Sequence, residues 1–156
     1  MSVPSKSQLS ETDICDRFIT PALVQAGWTR EQHILREYTL RPGRVVVRGQ
    51  ASHRDKASML RADYVLFHKP NVPLAVVEAK AWDKPCGEGV AQAKRYALKL
   101  ALRFGFATNG QSIYRMDMAA GVEGAVPSFP SPDELWTQTY AEQNATTDAW
   151  RERFAA

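Results

Sequence analysis

The 156-residue sequence lacks the features that several large protein classes require. It has no run of about 18 apolar residues, which argues against a membrane-spanning helix, and its first ten residues lack the apolar core of a signal peptide. Its only two cysteines, Cys15 and Cys86, do not have zinc-site spacing. The ATP-binding pattern G-x-x-x-x-G-K-[ST] is absent. These absences favour a cytoplasmic globular protein with reduced cysteines.

Charge is distributed unevenly along the chain. Residues 1–119 carry 18 lysines and arginines against 11 acidic residues, whereas residues 120–156 carry 2 against 6. The densest basic stretch, residues 41–61, has six basic residues and one aspartate. A basic body favours a polyanionic partner, although a solvated surface would give a milder form of the same count. We expect a phosphate-binding loop in this stretch, led by Arg44, Arg48, Arg54 and Lys56.

The spacing of apolar residues predicts an α/β domain whose central mixed sheet is flanked by helices. Ser10 and Asp13 form a capping box for a first helix, which Pro21 kinks or divides and Gly27 ends. The strongest helix is predicted over residues 87–104. Strands are predicted as a pair within 37–49 and over 62–67, 74–80, 104–108 and 112–118.

The composition changes after Gly124. The stretch "VPSFPSPDELW" is rich in proline, and a polar, acidic tail with a helical pattern follows it. We therefore predict a compact domain over residues 1–124 and a linker and tail over residues 125–156.

The segment "LAVVEAK", residues 74–80, predicts a strand buried on both faces that nevertheless ends in Glu78 and Lys80. If the Pro-Asn turn before it centres a hairpin, Asp63 of the preceding strand lies opposite Glu78. Side chains alternate along a strand, so Asp63, Glu78 and Lys80 then share one face. A slip of one residue in the register would separate them.

Two carboxylates at one place repel each other and raise each other's pKa. A divalent cation removes that conflict, and Mg²⁺ often binds through one or two carboxylates together with substrate phosphate oxygens. We expect Mn²⁺ to substitute for it. A lysine beside such a site could orient a water for attack on a phosphodiester. The trio Asp63, Glu78 and Lys80 therefore predicts a metal-dependent hydrolytic site, and the alternative is an ion pair at the end of a strand.

One flank of the predicted helix over 87–104 combines polar, aromatic and basic side chains. Gln92, Tyr96, Lys99 and Arg103 fall on one side of a 3.6-residue helical period, beside the apolar stripe. This flank is a candidate DNA-binding surface, and the alternative is a solvated helix face.

These motifs occur in an order that resembles a known family. Asp63 is followed after 15 residues by Glu78-Ala79-Lys80, and then by the pattern Q-x-x-x-Y at Gln92 and Tyr96. This order resembles the PD-(D/E)xK nuclease superfamily, and more narrowly the N-terminal nuclease domain of the motor (R) subunit of type I restriction enzymes. The resemblance extends over about residues 10–136 and includes "RADYVLF", "FATNG" and "FPSPDELW". Ala62 stands where the superfamily's name has proline.

The resemblance implies a restriction-endonuclease-like core and a role for each motif residue. Asp63 and Glu78 would bind Mg²⁺ with the backbone carbonyl of Ala79, and Lys80 would be the catalytic lysine. Gln92 and Tyr96 would support DNA binding or the geometry of the site. Glu11 matches an acidic position that sometimes completes such sites, although the helix dipole also favours an acid there.

The resemblance also implies partners and a substrate. Double-stranded DNA would be cut without sequence specificity, because methyltransferase and specificity subunits carry recognition in the family. ATP would be needed only by motor domains, which this sequence lacks, so we expect a piece of a longer chain. A non-catalytic DNA-binding or docking module and a free-standing anti-phage or repair nuclease are the alternatives.

Overall fold

The computed structural model describes residues 9–40 and 60–140. Three elements at the start form one helical rod: α1 (Glu11–Ile14), a π-helical turn (Cys15–Ile19) and α2 (Thr20–Gln25). The remaining elements are β1 (Ile34–Leu40), β2 (Leu60–Lys69), β3 (Val72–Ala79), a 3₁₀ turn (Cys86–Gly89), α3 (Val90–Leu100), β4 (Phe104–Thr108), β5 (Ile113–Asp117), β6 (Val122–Val126) and α4 over residues 132–140. No helix in these two ranges is long and apolar enough to cross a membrane.

The helical rod begins and is interrupted where its sequence predicts. The Ser10 side chain accepts from the Asp13 amide while the Asp13 carboxylate accepts from the Ser10 amide, which completes a capping box. Pro21 lies in the first turn of α2, where its missing N–H costs little. The Thr20 amide donates to the Cys15 carbonyl, so the strain before the proline is absorbed in a π-helical turn.

The six strands form one mixed sheet in the order β1-β2-β3-β4-β5-β6. β3 and β4 are parallel and are joined through α3, whereas the other neighbouring pairs are antiparallel. Asn109 and Gly110 lie in the connection between β4 and β5, at the position where the sequence predicts a hairpin turn. The predicted α/β class with a central mixed sheet and flanking helices is confirmed.

The centre of the sheet, β2 to β4, is buried on both faces, which explains why β3 is apolar almost throughout. Residues of one face pack with the N-terminal rod and α4, among them Tyr64, Leu66, Val77 and Phe106. Residues of the other face pack with α3, among them Val65, Val76 and Ala107. Six successive residues of β3 are buried, from Leu74 to Ala79. The polar end of this strand therefore lies at the edge of a closed core.

The strongest predicted helix is shorter than the sequence suggested. α3 ends at Leu100 because Ala101 adopts a left-handed conformation with φ 56°. Phe104 belongs to β4, and Arg103 lies before that strand, where its guanidinium pairs with the Asp117 carboxylate at 2.9 Å. Arg103 is therefore not on the helix face that the 3.6-residue period assigned to it.

The predicted domain boundary after residue 124 falls inside β6. Beyond it, Phe129 is buried with 5% exposure and Leu135 is completely buried. The Trp28 indole donates a 2.8 Å hydrogen bond to the Pro130 carbonyl. The prediction of a linker is wrong for residues 125–140, because Phe129 and Leu135 of this stretch pack onto the core. Residues 141–156, the second strand predicted within 37–49 and the basic loop lie outside the described residues.

Candidate active site

The register of the β2–β3 hairpin determines which side chains meet at its open end. Tyr64 lies opposite Val77, and Leu66 lies opposite Ala75. Extending this register by one residue places Asp63 opposite Glu78. The predicted pairing fails only near the turn, where Phe67 lies opposite Pro73 because the register shifts after Leu66. The register shift lies at the turn of the hairpin and does not reach the end that carries Asp63 and Glu78.

The Asp63 carboxylate bridges the two strand ends. Its Oδ2 accepts a 2.8 Å hydrogen bond from the Ala79 amide. It also lies close enough to the Glu78 carboxyl to raise the pKa of that group. Asp63 is therefore directed toward the strand that carries Glu78 and Lys80, as the predicted site requires.

Glu78 is a buried acid next to another acid. It is 5% exposed, and its Oε2 is buried without a hydrogen-bond partner. The pKa of Glu78 is raised from 4.5 to about 8, by burial first and then by the charges of Asp63 and Glu11, while Lys80 lowers it. Without a cation, a pKa of about 8 means that Glu78 is mostly protonated at neutral pH. A cation would release that proton.

Lys80 is tied to α3 by a chain of hydrogen bonds. Its Nζ donates to Gln92 Oε1 at 3.4 Å, and Gln92 Nε2 donates to the Tyr96 hydroxyl at 3.3 Å. The Lys80 amide donates to the Thr108 carbonyl at 2.8 Å, which fixes the backbone beside β4. The two residues of the Q-x-x-x-Y pattern thus extend from the lysine into the core.

Tyr96 is not part of an exposed helix flank. Its residue exposure is 2%, and burial, followed by the Glu78 charge, raises the pKa of its hydroxyl. The ring packs with Ala93 and Ala97 against the sheet, so it is not an exposed surface for DNA, and the role of Tyr96 in DNA binding stays a prediction. Its hydroxyl contacts Gln92, which suits the alternative role in the geometry of the site. Lys99, near the end of α3, is exposed.

The donor set at the strand ends fits a hard divalent cation. Two carboxylates meet there, and one buried carboxylate oxygen, Glu78 Oε2, lacks a partner. Oxygen ligands of this kind suit Mg²⁺ or Mn²⁺. Within residues 9–40 and 60–140, no group of three His, Cys, Asp or Glu side chains is close enough to hold a metal ion. Glu11 is exposed in the first turn of α1, and its charge contributes to the raised pKa of Glu78. Its assignment as a third carboxylate ligand stays a prediction.

Two neighbours of the site were missed by sequence reasoning. Gly89, at the start of α3, is so close to the sheet that a Cβ there would lie 3.3 Å from Glu78 Cγ and 3.5 Å from Lys80 Cε. Asn109 is buried beside the strand end, with 7% exposure. The positions of Gly89 and Asn109 depend on contacts between distant parts of the chain, which sequence spacing does not predict. Only Asn109 had a sequence signal, because it belongs to the stretch "FATNG" of the family resemblance. The predicted phosphate-binding residues Arg44, Arg48, Arg54 and Lys56 lie outside the described residues.

The family model described as type I restriction enzyme R protein N terminus (HSDR_N) matches residues 44–123. The chain belongs to this family. The matched range contains the whole Asp63, Glu78 and Lys80 trio and both residues of the Q-x-x-x-Y pattern.

Two relatives of this HSDR_N chain agree with the family assignment. The type I restriction enzyme EcoAI endonuclease subunit of Escherichia coli is 42% identical over 137 residues, which are 83% of this chain and 16% of that protein. A solved structure described as a fragment of an HsdR subunit of a type I restriction enzyme from Vibrio vulnificus YJ016 matches with a TM-score of 0.74 and 37% identity. It covers 87% of this chain and 26% of that one. The chain therefore spans a minor part of both relatives.

Proposed function

We propose that this HSDR_N chain is a Mg²⁺-dependent endodeoxyribonuclease domain of a type I restriction enzyme, of the PD-(D/E)xK type. The observation that carries the proposal is the buried Glu78 carboxyl, which lacks a partner for Oε2 and lies beside Asp63 and Lys80. A buried acid of this kind destabilises the metal-free fold, so a function that uses it explains its presence.

Each residue of the trio has a distinct task in this proposal. The Asp63 and Glu78 carboxylates would hold the ion together with the Ala79 carbonyl. When bound, Mg²⁺ would supply positive charge against the phosphate oxygens. Lys80 would donate a hydrogen bond to the attacking water or to a phosphate oxygen, and Gln92 would hold its ammonium in place.

The substrate and partners follow from the same proposal. The chain's basic body suits double-stranded DNA, and nothing in its sequence resembles a module that reads bases, so cleavage would be non-specific. Methyltransferase and specificity subunits would deliver sequence recognition, and ATP would act through motor domains elsewhere in the enzyme. We place this activity in the cytoplasm of a bacterial or archaeal cell.

Plasmid nicking in Mg²⁺ tests the proposal. Glu78→Ala and Lys80→Ala should abolish nicking, because each removes one member of the trio. Glu31→Ala and Lys69→Ala replace an exposed acid and an exposed base away from Asp63, Glu78 and Lys80, and should cut as the parent does. Circular dichroism would verify that all four variants fold. Nicking that persists unchanged in both trio variants would exclude this site and favour a docking or DNA-binding module.

A further inference from the structure

The segment between Lys80 and α3 joins the two halves of the candidate site. It contains residues 81–85, which are neither helix nor strand, and then the 3₁₀ turn Cys86–Gly89. Its internal backbone bonds are few: the Lys84 amide donates to Ala81 and the Glu88 amide donates to Pro85. A connection of this kind needs contacts from outside to hold one position.

Three side-chain hydrogen bonds come from one turn, residues 109–112, between β4 and β5, and the Trp82 ring also packs on Phe18 with centroids 4.9 Å apart. Asn109 Nδ2 donates to the Lys84 carbonyl at 2.7 Å. Gln111 Nε2 donates to the Trp82 carbonyl at 2.7 Å, and the Ser112 hydroxyl donates to Cys86 Sγ at 3.3 Å. Asn109 is 7% exposed whereas Gln111 is exposed, so the Asn109 bond is the better shielded from water.

The turn that carries Asn109 is itself braced. Asn109 Oδ1 accepts from the amides of Gln111 at 2.9 Å and Ser112 at 3.1 Å. The Thr108 hydroxyl donates to the Ser112 carbonyl, and it accepts from the amide of Gly110, which has φ +88°. One amide side chain thus uses its oxygen to shape the turn and its nitrogen to hold the connection.

The position of the connection determines how α3 meets the carboxylates. Gly89 lies directly against Glu78 and Lys80, so that a Cβ there would be 3.3 Å from Glu78 Cγ, tighter than ordinary contact. Gln92, one turn into α3, accepts from the Lys80 ammonium at 3.4 Å. A shift of the helix start by about 1 Å would break this contact, and errors of that size in a catalytic group cost about a hundredfold in rate.

We propose that Asn109 is a positioning residue of the nuclease site. By donating a hydrogen bond to the Lys84 carbonyl, it fixes the position of the start of α3 against Glu78 and Lys80. This inference rests on the proposed function. It predicts that loss of the Asn109 donor makes the connection more mobile while the sheet stays intact.

Asn109→Asp tests this, because it retains the oxygen that shapes the turn and removes the NH₂ that reaches Lys84. Asn109→Ser, whose hydroxyl is too short to reach that carbonyl, serves if the aspartate variant does not fold. Trp28→Phe is the matched control. It removes another side-chain hydrogen bond to a backbone carbonyl, at 2.8 Å to Pro130, on the other face of the sheet from α3.

Two readouts separate positioning from general destabilisation. In Asn109→Asp, amide exchange over residues 81–92 should rise about tenfold, while exchange in β2 and β4 stays within about twofold. For plasmid cleavage, kcat should fall about tenfold or more with KM for DNA nearly constant. Trp28→Phe should change neither the exchange over residues 81–92 nor kcat.

Unchanged exchange over residues 81–92 in a folded Asn109 variant, or an equal kcat loss in Trp28→Phe, would overturn the inference. The exchange experiment needs no DNA. If the unsubstituted chain cleaves no DNA, the proposed function fails. Faster exchange over residues 81–92 in Asn109→Asp would still show that the Asn109 hydrogen bond orders the connection.

Discussion

Glu78→Gln should stabilise the metal-free protein, and the gain should grow with pH. The pKa of Glu78 is raised from 4.5 to about 8 in the folded state, so the folded protein holds a proton there that the unfolded chain releases. Between these two pH values, stability therefore falls as pH rises, by about 1.4 kcal/mol per pH unit. Because glutamine does not ionise, the stability of the Glu78→Gln variant does not fall with pH in this way.

The expected magnitude follows from the same two values. Relative to pH 4.5, the parent should lose about 3 kcal/mol against the Glu78→Gln variant at pH 7, and the loss should level off at about 4 kcal/mol above pH 8. Urea unfolding in EDTA, followed by tryptophan fluorescence from pH 5 to 8.5, measures both proteins. The difference between variant and parent is the quantity to plot, because any fixed cost of the new amide then cancels.

Asp117→Asn is the control of opposite sign. The Arg103 guanidinium holds the pKa of Asp117 below its usual range, so its stabilising effect is complete above pH 3.8 and is lost only as the pH falls toward the lower folded value. Its difference from the parent should be destabilising and flat between pH 5 and 8.5. A flat profile for Glu78→Gln as well would refute the reasoning that Glu78 is buried and protonated.

Three further substitutions test other parts of the structure. Gly89→Ala should weaken Mg²⁺ binding, measured by calorimetry, and lower the free energy of unfolding by about 1–3 kcal/mol. Gly87→Ala, whose Cβ meets nothing within 4 Å, should change neither quantity. Equal effects of the two substitutions would contradict the close approach of Gly89 to the site. Tyr96→Phe removes one hydroxyl that is hydrogen-bonded to Gln92. It should slow nicking severalfold and lower the free energy of unfolding, measured in urea, by only about 1 kcal/mol. Nicking at the parental rate would contradict a role of this hydroxyl in the geometry of the site. Leu135→Ala should lower stability by about 2–5 kcal/mol, and a loss under about 0.5 kcal/mol would show that α4 does not pack on the core.

Much of the candidate site was predictable because it depends on local rules. Alternation along two strands and a short turn are enough to place Asp63, Glu78 and Lys80 on one face. The register irregularity near Phe67 did not disturb this result, since it lies at the other end of the hairpin. The roles assigned to the trio remain predictions until a variant or a metal is measured.

The parts that sequence reasoning missed depend on long-range packing. Periodicity placed Tyr96 beside the apolar stripe but could not show that the sheet reaches far enough to bury it. Proline content suggested a linker, although Phe129 and Leu135 within it are core residues. Asn109 joins parts of the chain 25 residues apart, which no spacing rule detects.

The central claim is that Asp63 and Glu78 hold one cation between them, and anomalous diffraction from a crystal soaked in Mn²⁺ tests it most directly. The account predicts a single strong peak about 2 Å from a carboxylate oxygen of each residue, with Glu78 Oε2 directed at the ion. A map without a peak between the Asp63 and Glu78 carboxylates would contradict it.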